Sequence, residues 1–176
     1  MTISTYKILI VDDEATTRDL ISSVLSSKGH RCETAVDGAQ ALDRALAETF
    51  DAVITDIVMP EMDGITLTRE VLKINPSLPV MVITGFSDEH YYEDSVNAGA
   101  SDFINKPFSV AELLARFQKM MRDHEISNQI MAREKELEKI GAEMIAGVQH
   151  DSMQRVAALK KEIESLRKNL QAGHAA

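Results

Sequence analysis

A chain of 176 residues with a formal net charge of −9 has room for one domain with a full core plus an appendage, and not for two ordinary domains. No run of about 18 apolar residues is present to span a bilayer, the start MTISTYKILIVDD lacks the pattern of a secretory signal, and Cys32 has no second cysteine to pair with. A cytoplasmic protein without membrane attachment is therefore expected. Residues 1–117 hold 9 Lys/Arg against 19 Asp/Glu, whereas residues 118–176 hold 10 against 9; the acidic front argues against direct nucleic-acid binding and for the capacity to hold a cation.

In chain order, KILIV (7–11) reads as a first strand, followed by a helical pattern through Leu20, Ile21, Val24 and Leu25 that stops at Gly29. RCETA (31–35) is a weaker second strand, and Ala41, Leu42, Ala45 and Leu46 mark a second helix. AVIT (52–55) is the third strand, and Ile65, Leu67, Val71 and Leu72 mark a third helix closed by Asn75-Pro76. VMVIT (80–84) is the fourth strand, with a short helix ending at Ala98-Gly99. DFIN (102–105) is the fifth, and a fifth helix starts with Ser109 as its N-cap and Glu112 three residues on. Continuous apolar runs of strand length suit strands buried on both faces, and five β-α units in alternation predict a doubly wound α/β fold with a parallel sheet. Ligands of such sheets bind beyond the carboxyl ends of the strands.

All eight aromatic residues and all four prolines lie within residues 1–117, which divides the chain into 1–123 and a helical tail, 124–176. The tail carries a heptad seam in two blocks: Ile126, Ile130, Leu137, Ile140 and Met144, then Val156, Leu159, Ile163, Leu166 and Leu170. Apolar spacings of 3 and 4 are the coiled-coil pattern and predict a homo-oligomer formed through the tail. The blocks are about five residues out of phase, so AGVQHDSMQ (146–154) is a stutter in one helix or a turn between two. Absence of proline favours the continuous helix; Gly147 followed by Asp151 and Gln154 would favour a hairpin.

The chemistry lies at strand ends. Asp12 and Asp13 end the first strand, Asp56 ends the third, Thr84 ends the fourth, and Lys106 follows the fifth, so all five converge on one edge of the sheet. Three carboxylates in one place repel unless a cation neutralises them. A hard, oxygen-preferring ion such as Mg²⁺ or Mn²⁺ fits, with Lys106 and the Thr84 hydroxyl available to hold phosphoryl oxygens and an aspartate available as nucleophile.

ILIVDDE (8–14), DAVITDIVMPEMDG (51–64), VMVITG (80–85) and AGASDFINKPF (98–108), taken in that order, resemble the response-regulator receiver family across residues 6–122. The resemblance implies strand order 2-1-3-4-5, flavodoxin-like; the helical, coiled-coil extension read from the heptads lies behind it. It implies Asp56 as phosphoacceptor, Mg²⁺ on Asp12, Asp13, Asp56 and the Met59 backbone carbonyl, and phosphoryl contacts from Thr84 and Lys106. It further implies a cis Lys106-Pro107 bond and Phe103 as the aromatic that turns inward on activation. Val58 and Phe86 fall where the family tunes loss of the phosphoryl group; both are apolar and unable to orient a water, so slow self-dephosphorylation is expected.

Partners implied are a sensor histidine kinase or phosphotransfer protein and a downstream protein target, with no DNA-binding module in view. The chain would not be an enzyme beyond catalysing its own phosphorylation and dephosphorylation. A haloacid-dehalogenase-like phosphatase would space its first aspartates two apart, unlike Asp12-Asp13, and would place an acid pair after the lysine. Two alternatives stay open: a histidine phosphotransfer segment around His150 in VQHDSMQRV (148–156), and a fragment whose effector lies beyond residue 176.

Overall fold

Three apolar runs become the centre of a parallel sheet. In the computed structural model, which describes residues 5–85, 89–145 and 151–174, β1 (Lys7–Val11), β3 (Ala52–Asp56) and β4 (Val80–Thr84) are buried along nearly their whole length. They are flanked by β2 (Arg31–Ala35) and β5 (Asp102–Asn105), whose partly exposed residues mark them as edges. The order is β2-β1-β3-β4-β5 with all pairs parallel; the alternating pattern predicts the parallel sheet, and the resemblance implies this order. Register aligns Val11 with Thr55, Asp56 with Ile83 and Thr84 with Asn105, so the residues that follow all emerge on the same edge.

Helices α1 (Ala15–Ser27), α2 (Gly38–Ala47), α3 (Gly64–Ile74) and α4 (Glu89–Ala98) alternate with the strands. Asp37 and Asp63 cap α2 and α3 by accepting from the Gln40 and Thr66 backbone N–H at 2.8 and 2.7 Å, satisfying donors that the first helical turn leaves free. Gly29, at φ 90°, closes α1: its N–H donates to Ser26 O and the His30 N–H to Leu25 O, a turn that needs the left-handed backbone glycine tolerates. One core cluster under α2 and α3 gathers Leu9, Val11, Val53, Ile57, Leu67, Val71 and Val82. Leu20 and Leu46 depart from the expected faces, being 45% and 66% exposed. Each sits one residue, about 100° around the helix, from the line that reaches the sheet.

Helix α5 (Val110–Ile145) starts under Ser109, whose Oγ accepts from the Glu112 N–H at 3.0 Å. The Glu112 carboxylate turns instead to Arg116 at 3.4 Å. Contacts divide the chain into two compact units, Met1–Met120 and Met121–Ala176, with α5 running through the boundary.

The second unit corrects the continuous-helix reading. Arg155 of α6 (Asp151–His174) pairs with Glu136 of α5 at 2.7 Å, Arg133 with Glu162 at 3.1 Å, and Arg167 with Glu134. A straight helix would hold positions 136 and 155 about 28 Å apart, so α5 and α6 lie side by side and antiparallel. None of the ten seam residues is exposed, and Ile140, Leu159 and Ile163 are buried. The two blocks thus form the two sides of one hairpin, which also accounts for their phase difference. Each buried aliphatic contributes about 1.5–3 kcal/mol and each exposed ion pair about 0.2–1 kcal/mol, so the seam supplies stability and the charges select register. Among the described residues no helix is long and apolar enough to cross a membrane.

Candidate functional site

Asp12, Asp13 and Asp56 each place a carboxylate oxygen within 4.8 Å of the other two. Asp12 and Asp56 are buried, while Asp13 is open to solvent. Asp12 is held from several sides. Its Oδ1 accepts from the Glu14 N–H at 2.8 Å, its Oδ2 from Lys106 Nζ at 2.8 Å, and its carbonyl from Arg18 Nη1 at 2.6 Å. Lys106 follows β5, and its backbone N–H donates to the Thr84 carbonyl at 2.6 Å, which fixes the lysine beside the end of β4.

Asp56 is less satisfied. Lys106 Nζ stands 3.4 Å from its Oδ1, close enough for an ion pair but not aligned for a hydrogen bond, and that buried oxygen has no hydrogen-bond partner. An orphaned buried carboxylate oxygen is costly and marks a place for an ion or a reacting group. Burial pushes the Asp56 carboxyl up from 3.8 to about 6; Lys106 opposes this and the Asp12 charge adds to it. Burial acts to lower the Lys106 pKa, but its hydrogen bond to Asp12 and the nearby Asp56 charge outweigh that and leave it raised, so the ammonium stays charged. Three hard carboxylate oxygens, one of them buried without a hydrogen bond, fit an oxygen-preferring divalent ion of the Mg²⁺ class.

Two residues outside the expected set shape the pocket. A Cβ at Gly64 would stand 1.9 Å from the Asp56 carbonyl oxygen, and the Gly64 N–H donates to Ile57 O at 2.8 Å. Only glycine lets α3 begin this close to the end of β3. Arg18 was also not singled out from the sequence; its position, six residues beyond Asp12 on the first helix, was the available signal.

The remaining expected residues are placed as follows. Thr84 is fully buried at the end of β4, Met59 is 9% exposed, and Val58 is 44% exposed. Phe103 is partly buried against the core and meets Tyr92 edge-on, with ring centres 5.5 Å apart. The Lys106-Pro107 peptide is cis. Phe86 and His150 lie outside the described residues.

The fold and this edge of acids and one lysine define a receiver architecture in the first unit. The family model "Response regulator receiver domain" matches residues 8–118, and the chain belongs to that family. It is 36% identical over 116 residues to the response regulator MprA of Mycolicibacterium vanbaalenii, a match spanning 66% of this chain and 50% of that protein; the chain thus covers about half the length of the curated relatives it matches. Among solved structures, a CheY-like receiver domain protein from Methanospirillum hungatei JF-1 superposes with a TM-score of 0.67 at 30% identity, covering 69% of this chain and 98% of that one. NtrX from Brucella abortus gives 0.70 at 31% identity, covering 73% of this chain and 29% of that one.

Proposed function

We propose that Asp56 accepts a phosphoryl group from the phosphohistidine of a sensor histidine kinase or phosphotransfer protein. The observation that carries this reading is the buried Asp56 Oδ1, which lacks a hydrogen bond, 3.4 Å from the Lys106 ammonium and within the acid trio. Asp12, Asp13 and Asp56, with the Met59 carbonyl, would hold Mg²⁺ or Mn²⁺, which when bound neutralises acids and donor alike. Asp56 supplies the nucleophilic oxygen, Lys106 balances charge on the transferring group, and the Thr84 hydroxyl together with Phe103 passes the change on. Apolar Val58 and Phe86 leave the acyl phosphate long-lived.

Output passes through protein contacts in the cytoplasm. The half-buried seam residues Ile126, Ile130, Leu137, Met144, Val156, Leu166 and Leu170 support pairing of two hairpins into a four-helix bundle. Light scattering of the full chain against a truncation after Asp123 tests that part, and an unchanged oligomer in the truncation refutes it.

For phosphorylation, the chain is incubated with acetyl phosphate and Mg²⁺ and followed by intact mass. A single phosphoryl adduct is expected, absent in Asp56→Asn and in chelator. An adduct that persists in Asp56→Asn overturns the assignment, and one that disappears in His150→Ala moves the site to the tail.

A further inference from the structure

Asp13 is the exposed member of the acid trio, and among the described residues its carboxylate has no hydrogen bond or ion pair. Asp12 and Asp56 are buried and packed; Asp13 is oriented by its backbone alone. That backbone shares a planar peptide with the Asp12 carbonyl, so whatever fixes the carbonyl fixes the Asp13 N–H and Cα with it. The group that fixes it is Arg18. Its Nη1 donates to Asp12 O at 2.6 Å, a short charge-assisted bond. Among the described residues, the half-buried Arg18 guanidinium forms no ion pair, although the Asp12 carboxylate belongs to the residue whose carbonyl it binds. Its position on the first turns of α1 is itself anchored, since the Arg18 N–H donates to Glu14 O at 3.1 Å.

We infer that Arg18 is a positioning residue for the divalent-cation site: it clamps the Asp12-Asp13 peptide so that the solvent-facing Asp13 carboxylate stays within reach of the ion. This rests on the reading of the acid trio as a metal site. Outer groups that orient ligands alter metal affinity by about 10–100-fold when removed, and a bond from a charged donor to a backbone carbonyl belongs to that class. A lysine at position 18 keeps the charge but lacks the rigid fork, so it restores the clamp in part.

The test is Mg²⁺ titration of the wild type, Arg18→Met, Arg18→Lys and Asp13→Asn by calorimetry, with the Asp13 amide shift followed by NMR. Metal-free denaturation midpoints are measured in parallel. Arg18→Met is expected to weaken Mg²⁺ binding at least tenfold and to move the Asp13 amide in the metal-free state, with Arg18→Lys between it and the wild type. If Arg18→Met does not fold, Arg18→Lys carries the comparison, and at least a threefold loss is expected. Mg²⁺ affinity within twofold of wild type in both variants, while Asp13→Asn binds weakly, overturns the inference and leaves the metal site standing. A wild-type chain that takes up no Mg²⁺ overturns both.

Discussion

Replacing Asp56 by asparagine in the metal-free chain is expected to stabilise it at alkaline pH, although the change removes the phosphoacceptor. Burial raises the Asp56 pKa from 3.8 to about 6 in the folded state. A group whose folded pKa is raised contributes stability that is fully present below the unfolded value and is lost as pH rises through the folded one. At pH 8 the carboxylate is therefore a net burden on the fold. At 1.36 kcal/mol per unit, the shift corresponds to at most about 3 kcal/mol; discounting for screening at the solvent-facing side of the pocket leaves about 1–2 kcal/mol. That is a melting-temperature rise of about 3–8 °C for Asp56→Asn in chelator at pH 8, shrinking as the pH approaches 4. Calorimetric unfolding of both proteins at pH 8, 6 and 4.5 provides the comparison. Adding Mg²⁺ should reverse the order, because an ion at 100 times its dissociation constant stabilises the wild type by about 2.7 kcal/mol. An Asp56→Asn protein no more stable than wild type at pH 8 in chelator refutes the claim that the acid trio is electrostatically strained.

Gly64→Ala is expected to lose about 3 kcal/mol in denaturant titration, at the upper end for overpacking, because its Cβ would meet the Asp56 carbonyl oxygen at 1.9 Å; a loss below 1 kcal/mol would mean that the loop relaxes freely. A double-mutant cycle on Glu136 and Arg155, 2.7 Å apart, should return a coupling of about 0.2–1 kcal/mol, whereas a continuous helix would give none. His30 stacks on Tyr6 at 5.3 Å, meets Phe117 edge-on, accepts from the Tyr6 N–H on Nδ1 at 3.4 Å, and has its pKa lowered by burial. Its contribution is present above about pH 6.5 and lost as pH falls through the lower folded value. In an Asp56→Asn background, His30→Phe should therefore flatten the decline in melting temperature between pH 7.5 and 5. An unchanged decline removes His30 as its source.

The sheet was legible in the sequence because KILIV, AVIT and VMVIT combine strand length with burial on both faces, and because loops after alternate elements leave little choice of topology. The acids and Lys106 were legible for the same reason: each abuts the end of a recognisable strand. Contacts that depend on the third dimension were not. Nothing local distinguishes Gly64 from a glycine serving a turn, and its role appears only when the Asp56 carbonyl is seen against it. The tail misled differently. None of its ten seam residues is exposed, but a heptad seam is indifferent to whether its partner is another chain or the same one. The five-residue phase break was the clue to a hairpin, and lack of proline outweighed it. Arg133, Glu134, Glu136, Arg155, Glu162 and Arg167 reveal the hairpin by pairing across the two helices.

The antiparallel run of α6 has a consequence for reach. An unbroken helix from Asp123 to Gly173 would carry its far end about 75 Å away, whereas a Cβ at Gly173 would lie 3.8 Å from Asp123 Oδ1. A fluorophore on each of these two positions would report efficient energy transfer in the hairpin and very little in an extended rod. Any cargo fused behind α6 would likewise be delivered next to residue 123 rather than to a distant tip, which makes the tail a return path and not a spacer.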